Sequence, residues 1–272
     1  MHDLFLLVAL VTMLQGGKEV GTATGFFYSK DNTAYFVTNR HVVINEEEGH
    51  KADALRLRLH AHPKDLTKNV DRIIPLYHGD RPRWHVHKDY PKVRIDISVI
   101  EVESKLLSGT SRTFLNNKSF YSKDRTAFIP GEDIVVIGFP RGLSDTTHNL
   151  ALMRNALISS AYGINFRGQP MFLIDGNLHQ GMSGSPVMTK PRTLIPSRTG
   201  FTVSNEPVTA FLGVFSATLS AVIPVKQTNK AAEKKDEPLK NQEKMATKEE
   251  ALGLGVVWYG DLIEEIIDSI KK

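Results

Sequence analysis

From residue 20 to residue 258 the chain is built of short runs rich in β-branched and aromatic residues, each closed by a turn signal, and no long amphipathic helical pattern interrupts them. The clearest runs are 20–28, 34–38, 55–62, 93–102, 134–138, 171–175, 210–217 and 254–258, with further strands between 149 and 160. Such runs fit pleated, half-buried surfaces. The run 55–62 alternates apolar and polar residues at every step, which predicts one buried face. Only at 261–270 does the period change: residues 262, 263, 266, 267 and 270 are apolar, the spacing of a helix that docks by one face. Many short strands and one terminal helix predict an all-β fold.

A chain of 272 residues, 41% hydrophobic, can bury one large core or two halves that share an interface. Residues 103–130 are polar and irregular and read as the crossing between such halves. Residues 189–207 read as a loop, and 226–250, with seven lysines and six acidic residues, as a flexible insertion. The apolar run 4–11 follows His2-Asp3 rather than a basic residue and lacks a small-x-small cleavage site. It reads as a buried first helix or strand, with a signal or anchor segment as the alternative, and it is too short to span a bilayer. No membrane partner is expected.

The absence of cysteine removes disulfides, thiolate nucleophiles and thiolate zinc sites, and tilts the expected location toward a reducing compartment, the cytoplasm. The formal charge is +4, with Lys and Arg interleaved with acids, so no basic stripe offers itself to nucleic acid. His60 and His62, like His85 and His87, stand two residues apart, but no third ligand accompanies either pair. They read as exposed strand faces rather than as a metal site. No cofactor is expected.

The stretch Gln180-Gly181-Met182-Ser183-Gly184-Ser185-Pro186 sets a serine between glycines, whose backbone freedom lets amide N–H groups approach a ligand. By itself this is also the composition of a tight turn. A serine hydroxyl becomes a useful nucleophile only with a base, a group that orients the base, and donors for the developing oxyanion. His41 follows the aromatic run 34–38, and Asp96 lies inside the apolar run 93–102. A carboxylate there needs a hydrogen-bond donor, which an imidazole N–H would supply. All ten histidines lie at or before position 179, which rules out the α/β-hydrolase order, in which the histidine follows the serine. The order His, Asp, Ser is that of the chymotrypsin-type barrel pair.

Together Thr38-Asn39-Arg40-His41-Val42-Val43, Asp96-Ile97-Ser98-Val99, Gly138-Phe139-Pro140, Gly181-Met182-Ser183-Gly184-Ser185-Pro186 and Gly213-Val214-Phe215-Ser216 resemble a trypsin-like serine peptidase of the bacterial branch that includes the Deg/HtrA proteases. The resemblance spans nearly the whole chain. It implies two six-stranded antiparallel β-barrels, the first over about 1–105 and the second over about 131–260, with a C-terminal helix at 261–270. It implies Ser183 as nucleophile, His41 as general base and then acid, Asp96 as the residue orienting His41, and the N–H groups of Gly181 and Ser183 as oxyanion hole. Asn177, Gln180, Ser216, Ala217 and Thr218 would bind a polypeptide substrate. Met182 stands where animal trypsins carry the aspartate of zymogen activation, so a switch of that kind is not expected. The alternative to an active endopeptidase is a trypsin-fold protein serving as a non-catalytic peptide-binding or scaffold module. The two polar stretches, 189–207 and 226–250, are both expected to emerge beside the active site.

Overall fold

Period-two alternation in the first strands sends side chains into two different interiors. β1 (Val8–Gln15), β2 (Lys18–Lys30) and β3 (Thr33–Thr38) form an antiparallel meander. Phe26, Tyr28, Tyr35 and Val37 join one buried cluster, whereas Phe27 and Phe36, their neighbours in sequence, join another. A sheet buried on both faces needs apolar residues at successive positions, which is why 26–28 and 35–37 are unbroken apolar runs. The structure, a computed structural model of the chain, describes residues 4–119, 128–197, 200–226 and 245–271.

After β3 come the single turn α1 (Arg40–Val43), the short pair β4 (Ile44–Asn45) and β5 (His50–Lys51), and the longer hairpin β6 (Ala54–His60) with β7 (Asn69–Pro75). A second short pair, β8 (Tyr77–His78) and β9 (Arg81–Pro82), precedes β10 (Trp84–His85), the turn α2 (Tyr90–Val93) and β11 (Ser98–Glu101). The first half is a seven-stranded sheet in the order β10-β11-β3-β2-β1-β6-β7. The apolar run 4–11 is therefore an interior start: Leu6 and Leu7 are buried and β1 pairs on both sides. Among the described residues no helix is long and apolar enough to cross a membrane.

The crossing carries the turn α3 (Ser104–Leu107), and part of it, 120–127, lies outside the described residues. The second half comprises β12 (Asp133–Gly138), β13 (Leu152–Ile158), β14 (Met171–Asp175), β15 (Pro186–Thr189), the pair β16 (Arg192–Ser197) and β17 (Gly200–Val208), then β18 (Phe211–Lys226), β19 (Met245–Tyr259) and α4 (Leu262–Ile270). Six of these close a barrel in the order β12-β13-β14-β19-β18-β15. The two halves share the larger cluster, in which Val8, Phe26 and Val99 pack with Ile134, Val187 and Phe211.

Four expectations need correction. Residues 189–207 are not a loop beside the active site but largely the antiparallel pair β16–β17, with 198–199 outside the described residues. β15 runs away from the serine stretch, and its last residue, Thr189, pairs with Ile134 near the start of β12, so the attached hairpin sits at the far end of the barrel. Arg192 to Glu132 at 2.8 Å and Lys190 to Asp133 at 3.2 Å hold it there. The polar block 226–250 is framed by strand: Lys226 pairs with Met245, and the ladder runs on to Ser220 and Ala251. Residues 227–244 lie outside the described residues. This ladder continues β18 past Thr218.

The last two corrections concern histidines. His60 is buried, because the second half covers the end of β6: His60 Nε2 bonds the His148 carbonyl at 2.8 Å and Asn149 Nδ2 donates to the Arg58 carbonyl at 3.1 Å. Burial holds the His60 imidazole below its ordinary pKa, partly opposed by that carbonyl. His87 is buried too, with Nδ1 accepting from the Asp89 amide at 3.2 Å and Nε2 on Glu265 at 3.0 Å. Among the described residues no three metal-ligating side chains gather.

α4 returns to the first half. Leu262, Ile263, Ile266 and Ile267 are buried in the shared cluster, as the helical spacing requires. Around them Lys30 meets Glu264 at 2.5 Å and Asp268 at 2.6 Å, Lys271 meets Asp31 at 2.7 Å, and the Tyr28 hydroxyl donates to Glu264. The apolar face, not the ion pairs, should dominate. Ile266→Ala is expected to lower unfolding free energy by about 2–5 kcal/mol, whereas Lys271→Ala, which removes an exposed, solvent-screened pair, should leave it nearly unchanged. Urea denaturation with unchanged m-values checks both, and equal losses would contradict this account.

Candidate active site

β3 ends at Thr38, and the chain turns through Asn39 in extended conformation into the single turn α1. Val42 and Val43 anchor that turn in the core, which leaves His41 facing a cleft between the halves. Asp96 precedes β11 and is tied in from its main chain, since Asn39 Nδ2 donates to the Asp96 carbonyl at 2.6 Å. Its carboxylate accepts three bonds: Oδ1 from the His41 amide at 3.0 Å, and Oδ2 from Ser216 Oγ at 2.6 Å and from His41 Nδ1 at 2.7 Å. A carboxylate against Nδ1 fixes the proton on that nitrogen and leaves the Nε2 lone pair for chemistry. Ser216 enters from β18, so the group orienting the histidine is itself held by the other half.

The serine stretch contains two glycines at positive φ, Gly181 at 87° and Gly184 at 86°. A Cβ on Gly181 would lie 2.5 Å from the Phe139 carbonyl and 2.6 Å from the Arg141 amide nitrogen, so both conformation and space demand glycine there. The carbonyls from Gln180 to Ser183 are all occupied. Gln180 O accepts from the Arg141 amide at 2.6 Å, Gly181 O from Thr24 Oγ1 at 2.8 Å, Met182 O from the Ser185 amide at 2.9 Å and Ser183 O from the Thr24 amide at 2.9 Å. Of the amides from Gly181 to Ser185, those of Met182, Gly184 and Ser185 donate to His179 O, Phe215 O and Met182 O. The N–H groups of Gly181 and Ser183 have no acceptor among the described residues. In a trans peptide the C=O and the following N–H point in opposite directions. Capture of Gln180 O by Arg141 therefore turns the Gly181 N–H the other way.

The cleft has a volume of about 730 Å³ and brings together His41, Asp96 and Ser183 with Gln180, Ser216, Ala217 and Thr218. Ser183 Oγ donates to the Ser216 carbonyl at 3.1 Å rather than to His41. Asn177 is not brought to the cleft. Leu178 turns inward to the barrel core, which sends Asn177 outward, where its carbonyl accepts from Arg154 Nη2 at 2.8 Å. His179 and Phe215 line the cleft and were not picked out by sequence reasoning. Arg40 was missed as well: its guanidinium lies 4.3 Å from the Tyr90 ring centroid and pairs with both carboxylate oxygens of Glu46, at 2.9 and 2.5 Å. That pair holds the Glu46 carboxyl down to about 2. Met182 is fully buried, as an apolar residue behind the serine can be and a charged one could not without a partner.

A two-part all-β body, one part a closed six-stranded barrel, with His41 and Asp96 from one half facing Ser183 from the other, defines the chymotrypsin-fold serine peptidase class. The trypsin-like peptidase domain model matches residues 23–195, more than half of the chain, and the chain belongs to that family. Among solved structures it is similar to the active form of the Rv3671c protease from M. tuberculosis, at 18% identity and a TM-score of 0.46, with 98% of this chain and 81% of that one covered. It is also similar to a serine endoprotease from Yersinia pestis, at 15% identity and 0.47, covering 80% and 58% of the two chains. The thermostable serine protease AL20 from an extremophilic microorganism aligns over 100% of both chains at 10% identity and 0.48. The curated proteins contain no match to the chain.

Burial pulls the His41 pKa down, but the hydrogen bond and charge of Asp96, with a smaller contribution from Glu48, outweigh it and raise the pKa above the ordinary histidine value. A raised folded-state pKa contributes stability that is complete below the unfolded value, about 6.5, and is lost as pH rises through the folded one. In an NMR titration the His41 imidazole should have its midpoint above about 6.5, and Asp96→Asn should lower it. A wild-type midpoint at or below that value would contradict the arrangement.

Proposed function

We propose that the chain is a serine endopeptidase acting on polypeptides through an acyl-enzyme. The observation that carries this reading is the pair of unoccupied N–H groups, Gly181 and Ser183, beside a serine that shares its cleft with a carboxylate-held histidine. In this reading Ser183 Oγ attacks the scissile carbonyl while His41 Nε2 takes its proton, and the carbonyl oxygen, now negative, accepts from the Gly181 and Ser183 amides. His41 returns the proton to the leaving amine, and water repeats the cycle on the ester. The cleft lining supports binding of an extended chain along Ser216, Ala217 and Thr218. Glu46, Glu47 and Asp96 are the carboxylates that line it among the described residues, all from the first half. With none on the Phe215–Thr218 wall, cleavage after Lys or Arg is disfavoured and a small or medium apolar residue is preferred.

The second reading, a non-catalytic peptide-binding module, draws on one observation: the Ser183 hydroxyl is directed to the Ser216 carbonyl and not to His41. A fluorophosphonate decides between them, because it reacts only with an activated serine. Labelling of the wild-type protein that disappears in Ser183→Ala is expected, and no labelling of folded wild type would favour the binding module. Asp96→Asn should lower kcat roughly 10⁴-fold, the loss seen when the amide selects the wrong tautomer in this mechanism. A fall below about tenfold would mean that another group orients His41.

A further inference from the structure

We infer that Thr24, on the first-half strand β2, is a positioning residue that holds the oxyanion-binding loop of the second half in its reactive form. The inference rests on the reading of Ser183 as nucleophile. Thr24 is fully buried and makes four hydrogen bonds, three of them to the second half. Its amide donates to the Ser183 carbonyl at 2.9 Å. Its hydroxyl donates to the Gly181 carbonyl at 2.8 Å and accepts from the Phe139 amide at 3.0 Å. Its own carbonyl accepts from Thr38 Oγ1 at 2.8 Å, which fixes the threonine from its own half.

The consequence lies in which peptide planes these bonds fix. The two amides without an acceptor belong to the planes 180–181 and 182–183, and each has its carbonyl taken by Arg141 or Ser185. The planes between and after them, 181–182 and 183–184, have their carbonyls taken by Thr24 alone. A loop with two glycines at positive φ has little intrinsic preference between peptide orientations. The threonine hydroxyl supplies the preference at Gly181, and because the same oxygen accepts from Phe139, it also ties that loop to the strand end that carries Arg141, whose amide orients the other plane. The orientation of the loop that carries the hole's donors thus depends on a residue that touches neither substrate nor the reacting atoms. The space around it is shaped for this: a Cβ on Gly138 would lie 2.7 Å from Thr24 Oγ1.

Thr24→Val keeps the size and β-branching and removes only the hydroxyl. It should lower kcat roughly 10²-fold, the scale of losing or misplacing an oxyanion donor, while KM changes less than about threefold. Affinity for a peptide aldehyde, which places an oxyanion in the hole, should fall in parallel with kcat. Thr24→Ser should restore both. If Thr24→Val does not fold, Thr24→Ala loses the same hydroxyl without the added methyl and carries the same readout. A folded variant with wild-type kcat and aldehyde affinity, or one in which KM rises and kcat does not fall, overturns the inference. Absence of activity in the wild-type protein would instead overturn the peptidase reading itself.

Discussion

A chain that turns as sharply as residues 180–185 must place its carbonyls and amides somewhere, since unpaired buried backbone groups are costly. Here every carbonyl from Gln180 to Ser183 has a donor, and two amides, those of Gly181 and Ser183, are left without an acceptor among the described residues, beside the cleft that Gln180 and Ser183 line. The rest of the architecture depends on that allocation. Two of the four donors are the amide and hydroxyl of Thr24, on the first-half sheet, and a third is the Arg141 amide, on the turn that follows β12. The site exists only when the halves are docked, and they dock through one shared apolar cluster.

That cluster explains the two-sided strands. Phe26, Tyr28, Tyr35 and Val37 bury against the second barrel, while Phe27 and Phe36 build the first-half core. Between Phe26 and the serine loop stand Thr24 and Gly25, so the strand that supplies interface packing also supplies the donors at Ser183. α4 completes the arrangement by carrying Ile263, Ile266 and Ile267 from the end of the chain back onto the first half. Packing thus sets the distance between His41 on one half and Ser183 on the other, and hydrogen bonds set the orientation of each.

That His41, Asp96 and Ser183 would meet in one cleft was legible in the sequence, because their order along the chain excludes other serine-hydrolase plans. The strands and the terminal helix were legible from periodicity. Thr24 was not, because a threonine in a strand is already explained by β propensity, and its hydroxyl partners lie more than a hundred residues away. Arg141 contributes a main-chain amide, which leaves no signature in residue type. Asn177 was placed at the pocket by its offset from Ser183, but the inward turn of Leu178 decides its direction. Residues 189–207 looked like a loop because an exposed two-stranded ribbon lacks a buried face to impose alternation.

Whether the unoccupied Gly181 and Ser183 amides form the oxyanion site can be read from a crystal structure of the protein with a peptidyl phosphonate bonded to Ser183 Oγ. The phosphoryl oxygen should lie within about 2.7–3.1 Å of both amide nitrogens, with Gln180 O still on the Arg141 amide. A phosphoryl oxygen turned toward solvent, or a Gln180 carbonyl rotated into the hole, would contradict that role.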